Sequence, residues 1–102
     1  MVIVLARIEV APGQREAFLK EFHRLMPAVR AEAGCLEYGP AVDAETSLAR
    51  QTRLGSDVVM IVEKWASLAH LEAHLVAPHM ESYRARVKDL VRAVQLHVLQ
   101  PA

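Results

Sequence analysis

The chain has 102 residues, with twelve basic and twelve acidic side chains that cancel to a formal charge of zero at neutral pH. That length makes one domain, and the balanced charge leaves no basic excess to release counterions from a phosphate backbone, which argues against nucleic-acid binding. The single cysteine, Cys35, excludes an intrachain disulfide and a cysteine-based zinc site.

The apolar fraction, 53%, is high and weighted toward Ala, Val and Leu. A domain this small leaves roughly a third of its unfolded surface exposed. Burying part of the apolar excess against a second copy about a twofold axis is the expected form, with a well-packed monomer as the alternative. No apolar run approaches the ~20 residues of a membrane-spanning helix. The opening Met-Val-Ile-Val-Leu-Ala-Arg lacks the basic start and cleavage site of a signal peptide. A cytoplasmic protein is expected.

In chain order, Val2–Val10 reads as a strand. Val2, Val4, Ala6, Ile8 and Val10 share one face; Ile3 and Leu5 share the other with Arg7 and Glu9. Arg7 or Glu9 either points into a pocket or sits at a solvated strand end. Ala11-Pro12-Gly13 marks a turn. From Gln14 the period becomes helical, with Phe18, Phe22, Leu25, Met26 and Val29 in one stripe. Pro27 predicts a kink, or an end and restart, and Gly34 suits the left-handed position that closes a helix. Cys35–Val42 reads as a second strand, with Gly39-Pro40 at a bulge or sheet edge. Cys35 fits a small buried hydrophobe. A short strand over Leu48–Leu54 and a turn at Gly55-Ser56-Asp57 follow.

Val58, Val59, Met60, Ile61 and Val62 form a continuous β-branched run, which predicts a strand buried on both faces. Glu63 and Lys64 bring polarity back and Trp65 closes the strand. Ser67 is placed to cap the next helix, whose stripe is Leu68, Leu71 and Leu75; Pro78 stops it or opens another. A last helix is expected over Met80–Val94, with Met80, Tyr83, Val87, Leu90, Val91 and Val94 apolar. A last strand is expected over Gln95–Leu99. The order predicts an α+β domain, a ferredoxin-like antiparallel sheet with helices on one face.

The chemistry concentrates between Val58 and Tyr83, which hold the only Trp, three of five His and one of two Tyr. His70 and His74 stand four apart and share a helix face. That spacing suits a chelating pair, a proton carrier or a structural pair flanking the core, and no third ligand is evident although His79 is close in sequence. The four glycines are scattered turn residues, so no phosphate loop or dinucleotide fingerprint exists, and no nucleophile elbow is present. An enzyme built on this chain needs chemistry that its substrate can largely perform, assisted by positioning and proton transfer.

The segment EKW-x-S-x-AHLEAHL-x-x-PHM-x-x-Y, the opening strand with Pro-Gly-Gln, the Pro27 position, the turn Glu32–Cys35 and the closing Leu-Gln-Pro resemble the antibiotic biosynthesis monooxygenase family over nearly the whole chain. The branch most resembled is the small bacterial quinol monooxygenases. The resemblance implies a dimeric α+β barrel and an oxygenase that uses no cofactor and no metal. It also implies a small aromatic substrate and dioxygen as partners. Residue by residue, Trp65 matches the pocket Trp of the aromatic polyketide oxygenases, but Ile61 and Leu71 stand where that branch has Asn and Tyr. Ala6, His74 and Arg84 depart from the haem-degrading pattern. His74 and His79 fit the quinol branch. The expected site is therefore His74 as proton acceptor, with Trp65, Tyr83, Met60 and His79 as substrate contacts. The alternative is a non-oxidative isomerase or a small-molecule-binding dimer on the same fold. An apolar slot favours a quinol, and a smaller polar pocket with Arg or Lys favours the isomerase.

Overall fold

The computed structural model describes residues 1–102. Strand β1 (Val2–Val10) leads through a turn to helix α1 (Arg15–Arg30), then strands β2 (Cys35–Ala41) and β3 (Val58–Trp65), helices α2 (Leu68–Leu75) and α3 (Pro78–Val87), and strand β4 (Val91–Leu99). All strand pairs are antiparallel and the order is β2-β3-β1-β4. This is the ferredoxin-like α+β arrangement that the element order predicts.

The pleat sorts β1 and β3 into two faces. Val4, Ala6, Ile8 and Val10 of β1 and Val59, Ile61 and Trp65 of β3 join Phe18, Phe22, Leu25 and Val29 of α1 in one apolar core. Phe22 stacks on Tyr38 at 5.2 Å between ring centroids, and Tyr83 meets Phe18 and Phe22 edge-on. The continuous apolar run of β3 does not make it buried on both faces within one chain. Met60, Val62 and Lys64 alternate onto the face away from the helices and stay half-exposed.

Three further expectations are corrected, and the edge position expected for Pro40 is found. Helix α1 passes through Pro27 without ending and restarting; Pro27 and His23 are exposed, so water can meet the carbonyl that the missing N–H leaves free. Helix α3 stops at Val87, and the strand begins at Val91 rather than Gln95. Val87, Leu90, Val91 and Val94 satisfy a helical stripe, but Val91–Leu99 also satisfies a strand. The open edge of β1 supplies its ladder from Val10↔Val91 to Ile3↔Leu99. Leu48–Leu54 forms no strand. The Asp43 carboxylate accepts from the amides of Leu54 and Gly55, each at 2.9 Å, and Gln51 donates to the carbonyl of Ala44, so the segment closes on itself. Pro40 occupies the edge strand β2, where its missing N–H costs no ladder bond, while the bulge falls at Cys35–Glu37.

Gly34 does not close α1, whose cap is Ala31. It turns the chain into β2 with φ of 78°, and a Cβ there would collide with the His70 ring. Gly13 has nearly the same φ, 77°, with open space around it. Gly34→Ala is therefore expected to lower stability by about 2–4 kcal/mol in urea unfolding, against about 1 kcal/mol for Gly13→Ala, which meets backbone strain alone.

Candidate active site

Three elements converge on one carboxylate. Ser67 caps α2 by accepting from the amide of His70, and Pro78 opens α3 at its first turn. The two short helices thereby set His74 and His79 on either side of Glu32, which lies in the turn after α1. The ring nitrogens His74 Nδ1 and His79 Nε2 each stand 2.8 Å from the same oxygen, Glu32 Oε2. A carboxylate only accepts, so both imidazoles donate, and His74 carries its proton on Nδ1. Its Nε2 is left with a free lone pair. His74 is 1% exposed, yet no buried side-chain nitrogen or oxygen lacks a partner. Nε2 therefore opens onto the adjoining cavity.

That cavity has a volume of about 430 Å³ and sixteen lining residues, twelve of them hydrophobic, a size and character suited to a small ligand. Ala6, Ile8, Ile61, Met80, Val87, Val91, Val94 and Leu96 supply aliphatic wall, and Phe22, Tyr38 and Tyr83 supply aromatic wall. The polar lining is Glu63, His74, Arg84 and Lys88. The two cations are exposed residues, and Arg84 spends a guanidinium N–H on the carbonyl of Leu75 at 2.7 Å.

Burial sets the protonation of this site. It lowers the pKa of His74 from the ordinary 6.5, against the opposing pull of the Glu32 hydrogen bond, so the imidazole is kept neutral. It raises Tyr38 and Tyr83 above the usual phenol range. It pushes the Glu63 carboxyl up to about 7, even though the indole N–H of Trp65 donates to Glu63 Oε1 at 2.9 Å.

The sequence-predicted residues are only partly brought together. His74 and Tyr83 line the cavity. Trp65 is fully buried behind His74, with ring centroids 4.6 Å apart, and supports the imidazole rather than lining the cavity. His79, with a 31% exposed side chain, reaches the site through Glu32 and does not line the cavity. Met60 faces the other side of the sheet and is not a cavity contact. His70 bonds Ser67 Oγ at 2.8 Å, so the i,i+4 pair does not converge. The missing third ligand is Glu32: the donor atoms of Glu32, His74 and His79 lie within 4.8 Å of one another, a two-histidine, one-carboxylate set of the kind that holds divalent transition metals. The 2.8 Å separations are those of charge-assisted hydrogen bonds.

Glu32, Glu63 and Tyr38 escaped the sequence reading. Glu63 had a signal, since it alternates with Ile61 and Trp65 and so must point inward with them. Glu32 stands 42 residues from His74 and had none.

The model of the antibiotic biosynthesis monooxygenase family matches residues 1–86. The chain belongs to that family. It is 41% identical over 103 aligned positions to the Escherichia coli (strain K12) protein described as a probable quinol monooxygenase, YgiN, covering 99% of this chain and 98% of YgiN. Among solved structures, PA3566 from Pseudomonas aeruginosa superposes with a TM-score of 0.81 at 30% identity, over 99% of this chain and 93% of that one. Rv0793 from Mycobacterium tuberculosis superposes with a TM-score of 0.80 at 29% identity, over 99% and 94%. By family the chain is a monooxygenase.

Glu63 yields a test of the site's electrostatics. Its folded pKa lies above its ordinary 4.5, so its stabilising contribution is full below pH 4.5 and is lost as pH rises through about 7. Glu63→Gln keeps an oxygen for Trp65 but cannot ionise. The variant is expected to gain about 2–3 kcal/mol on the wild type between pH 5 and pH 8, read by urea unfolding at both values.

Proposed function

We propose that the chain is a cofactor-independent monooxygenase of a quinol or related polyphenolic aromatic, acting as a homodimer. The observation that carries this reading is the state of His74: Nδ1 is committed to Glu32, and Nε2 opens onto an apolar cavity. A neutral imidazole held in one tautomer is a general base. Nε2 takes the proton of a ring hydroxyl, and the resulting quinolate is electron-rich enough to reduce dioxygen directly. In balance, one hydroquinone and one dioxygen give one hydroxyquinone and one water. The protein supplies the base, a largely apolar slot and orientation. His79 acts through Glu32 as a positioning residue. No element of the path requires a metal or flavin, and the kinship with a protein described as a quinol monooxygenase supports the substrate class. The mainly aliphatic and aromatic lining favours a flat aromatic over the small polar substrate of an isomerase.

The test is oxygen uptake with anaerobically prepared naphthohydroquinone, corrected for autoxidation, with and without chelator. Uptake is expected to be chelator-insensitive and to fall by about 10²–10⁴-fold in His74→Ala. Because protonated His74 cannot act as a base, kcat/KM should show an acid limb, and that limb should lie below the ordinary histidine value of 6.5 because burial lowers this one. That limb should vanish in the variant. Uptake no faster than autoxidation overturns the reading.

The homodimer rests on the sheet face that the helices leave uncovered. Ile3 and Leu5 of β1, Met60 and Val62 of β3 and Leu99 of β4 lie there on one surface, as the strand register requires. A second copy would complete the double burial that the β3 sequence calls for. Val62→Asp is expected to convert a dimer into a monomer in sedimentation equilibrium. A monomeric wild type would sink the proposal.

A further inference from the structure

Glu63 is out of place by every rule of stability. Its side chain points into the core face between Ile61 and Trp65, and the residue is 6% exposed. No cation answers it, because none of the chain's ion pairs includes it. Its one hydrogen bond comes from the indole of Trp65 to Oε1. A glutamine would satisfy that indole equally well without the cost of a buried acid. The other carboxyl oxygen, Oε2, has no partner in the chain. No buried side-chain oxygen is both occluded and unpaired, so this oxygen too opens onto the cavity that Glu63 lines.

Trp65 joins two of the polar groups of that cavity. Its N–H holds Glu63 and its ring faces the His74 imidazole at 4.6 Å. A ligand with one oxygen at His74 Nε2 therefore has a second polar group, on the same wall, to answer another oxygen. The remaining wall is largely aliphatic and aromatic, and takes the flat ring.

We propose that Glu63 is a second substrate-binding residue, its free oxygen accepting the hydrogen bond of a second ring hydroxyl, so that the site selects aromatics with at least two hydroxyls over monohydroxylated ones. This rests on the quinol reading above and narrows it. A carboxyl that ionises near neutral pH accepts from a hydroxyl as the carboxylate and donates to a carbonyl as the acid. It can hold a ring oxygen in either the reduced or the oxidised ligand.

The test needs no turnover. Trp65 is the only Trp in the chain, so its emission reports on the site, and calorimetry gives an independent isotherm. Under anaerobic conditions, 1,4-naphthohydroquinone and its monomethyl ether are titrated into the full chain at pH 8. The wild type is expected to bind the diol about 10- to 100-fold more tightly, the worth of a hydrogen bond to a charged acceptor. In Glu63→Gln the amide nitrogen can donate to either a hydroxyl or an ether oxygen, so the preference should shrink to about twofold or less. His74→Ala should weaken both ligands while leaving a diol preference. Equal binding of the two ligands by the wild type, or an undiminished preference in Glu63→Gln, overturns the assignment while leaving the quinol reading intact. Failure of both ligands to bind the wild type overturns the two together.

Discussion

A single oxygen atom, Glu32 Oε2, ties the helical layer together. It receives an imidazole from the end of α2 and another from the start of α3, while its own residue sits in the turn between α1 and β2. Neither short helix would stand alone, since isolated helices of eight or ten residues are marginal in water. Their positions come from packing and from this shared acceptor. The same contact fixes the tautomer of His74 and so decides which nitrogen meets the cavity. One hydrogen-bond pattern serves both structure and site, and a residue that ties the turn to two helices also orients the imidazole proposed as the base.

The cavity behind that contact is an environment in which charge is discouraged. Burial drives His74 toward neutrality, holds two tyrosines as phenols, and raises Glu63 to the edge of ionisation at physiological pH. These shifts all follow from the same removal of water. On the proposed function, a neutral imidazole in such a slot creates charge only by taking a proton from its ligand. The aromatic cluster of Phe22, Tyr38, Trp65 and Tyr83 makes that burial structural, since its rings pack on one another and on His74.

The fold was legible where periodicity and position agreed. The bounds of β1 follow from strict alternation and a Pro-Gly turn, and the start of α2 follows from Ser67. Legibility failed where one set of residues satisfied two periods. Val87, Leu90, Val91 and Val94 describe a helical stripe, and only the vacant edge of β1, a tertiary fact, draws Val91–Leu99 into a strand. The site divides in the same way. His74 was reached through family resemblance, since its spacing from His70 marks both residues equally and the two do not converge. Glu32 could not be reached, because its relation to His74 exists only after the chain has returned across the sheet. Met60 was misplaced because a continuous apolar run hides the alternation that puts it on the other face.

That alternation shows how closely two demands share one strand. In β3, Val59, Ile61, Glu63 and Trp65 face the helices and the cavity; Met60, Val62 and Lys64 face the uncovered side. A slip of one residue against β1 would exchange the two sets, turning Glu63 and Trp65 outward and Val62 and Lys64 into the core. The pairings Ala6↔Ile61 and Leu5↔Val62 hold that register along eight residue pairs. An uncompensated carboxyl persists inside because the pleat leaves it no other direction, and the apolar neighbours on both strands oppose the one-residue slip that would turn it outward.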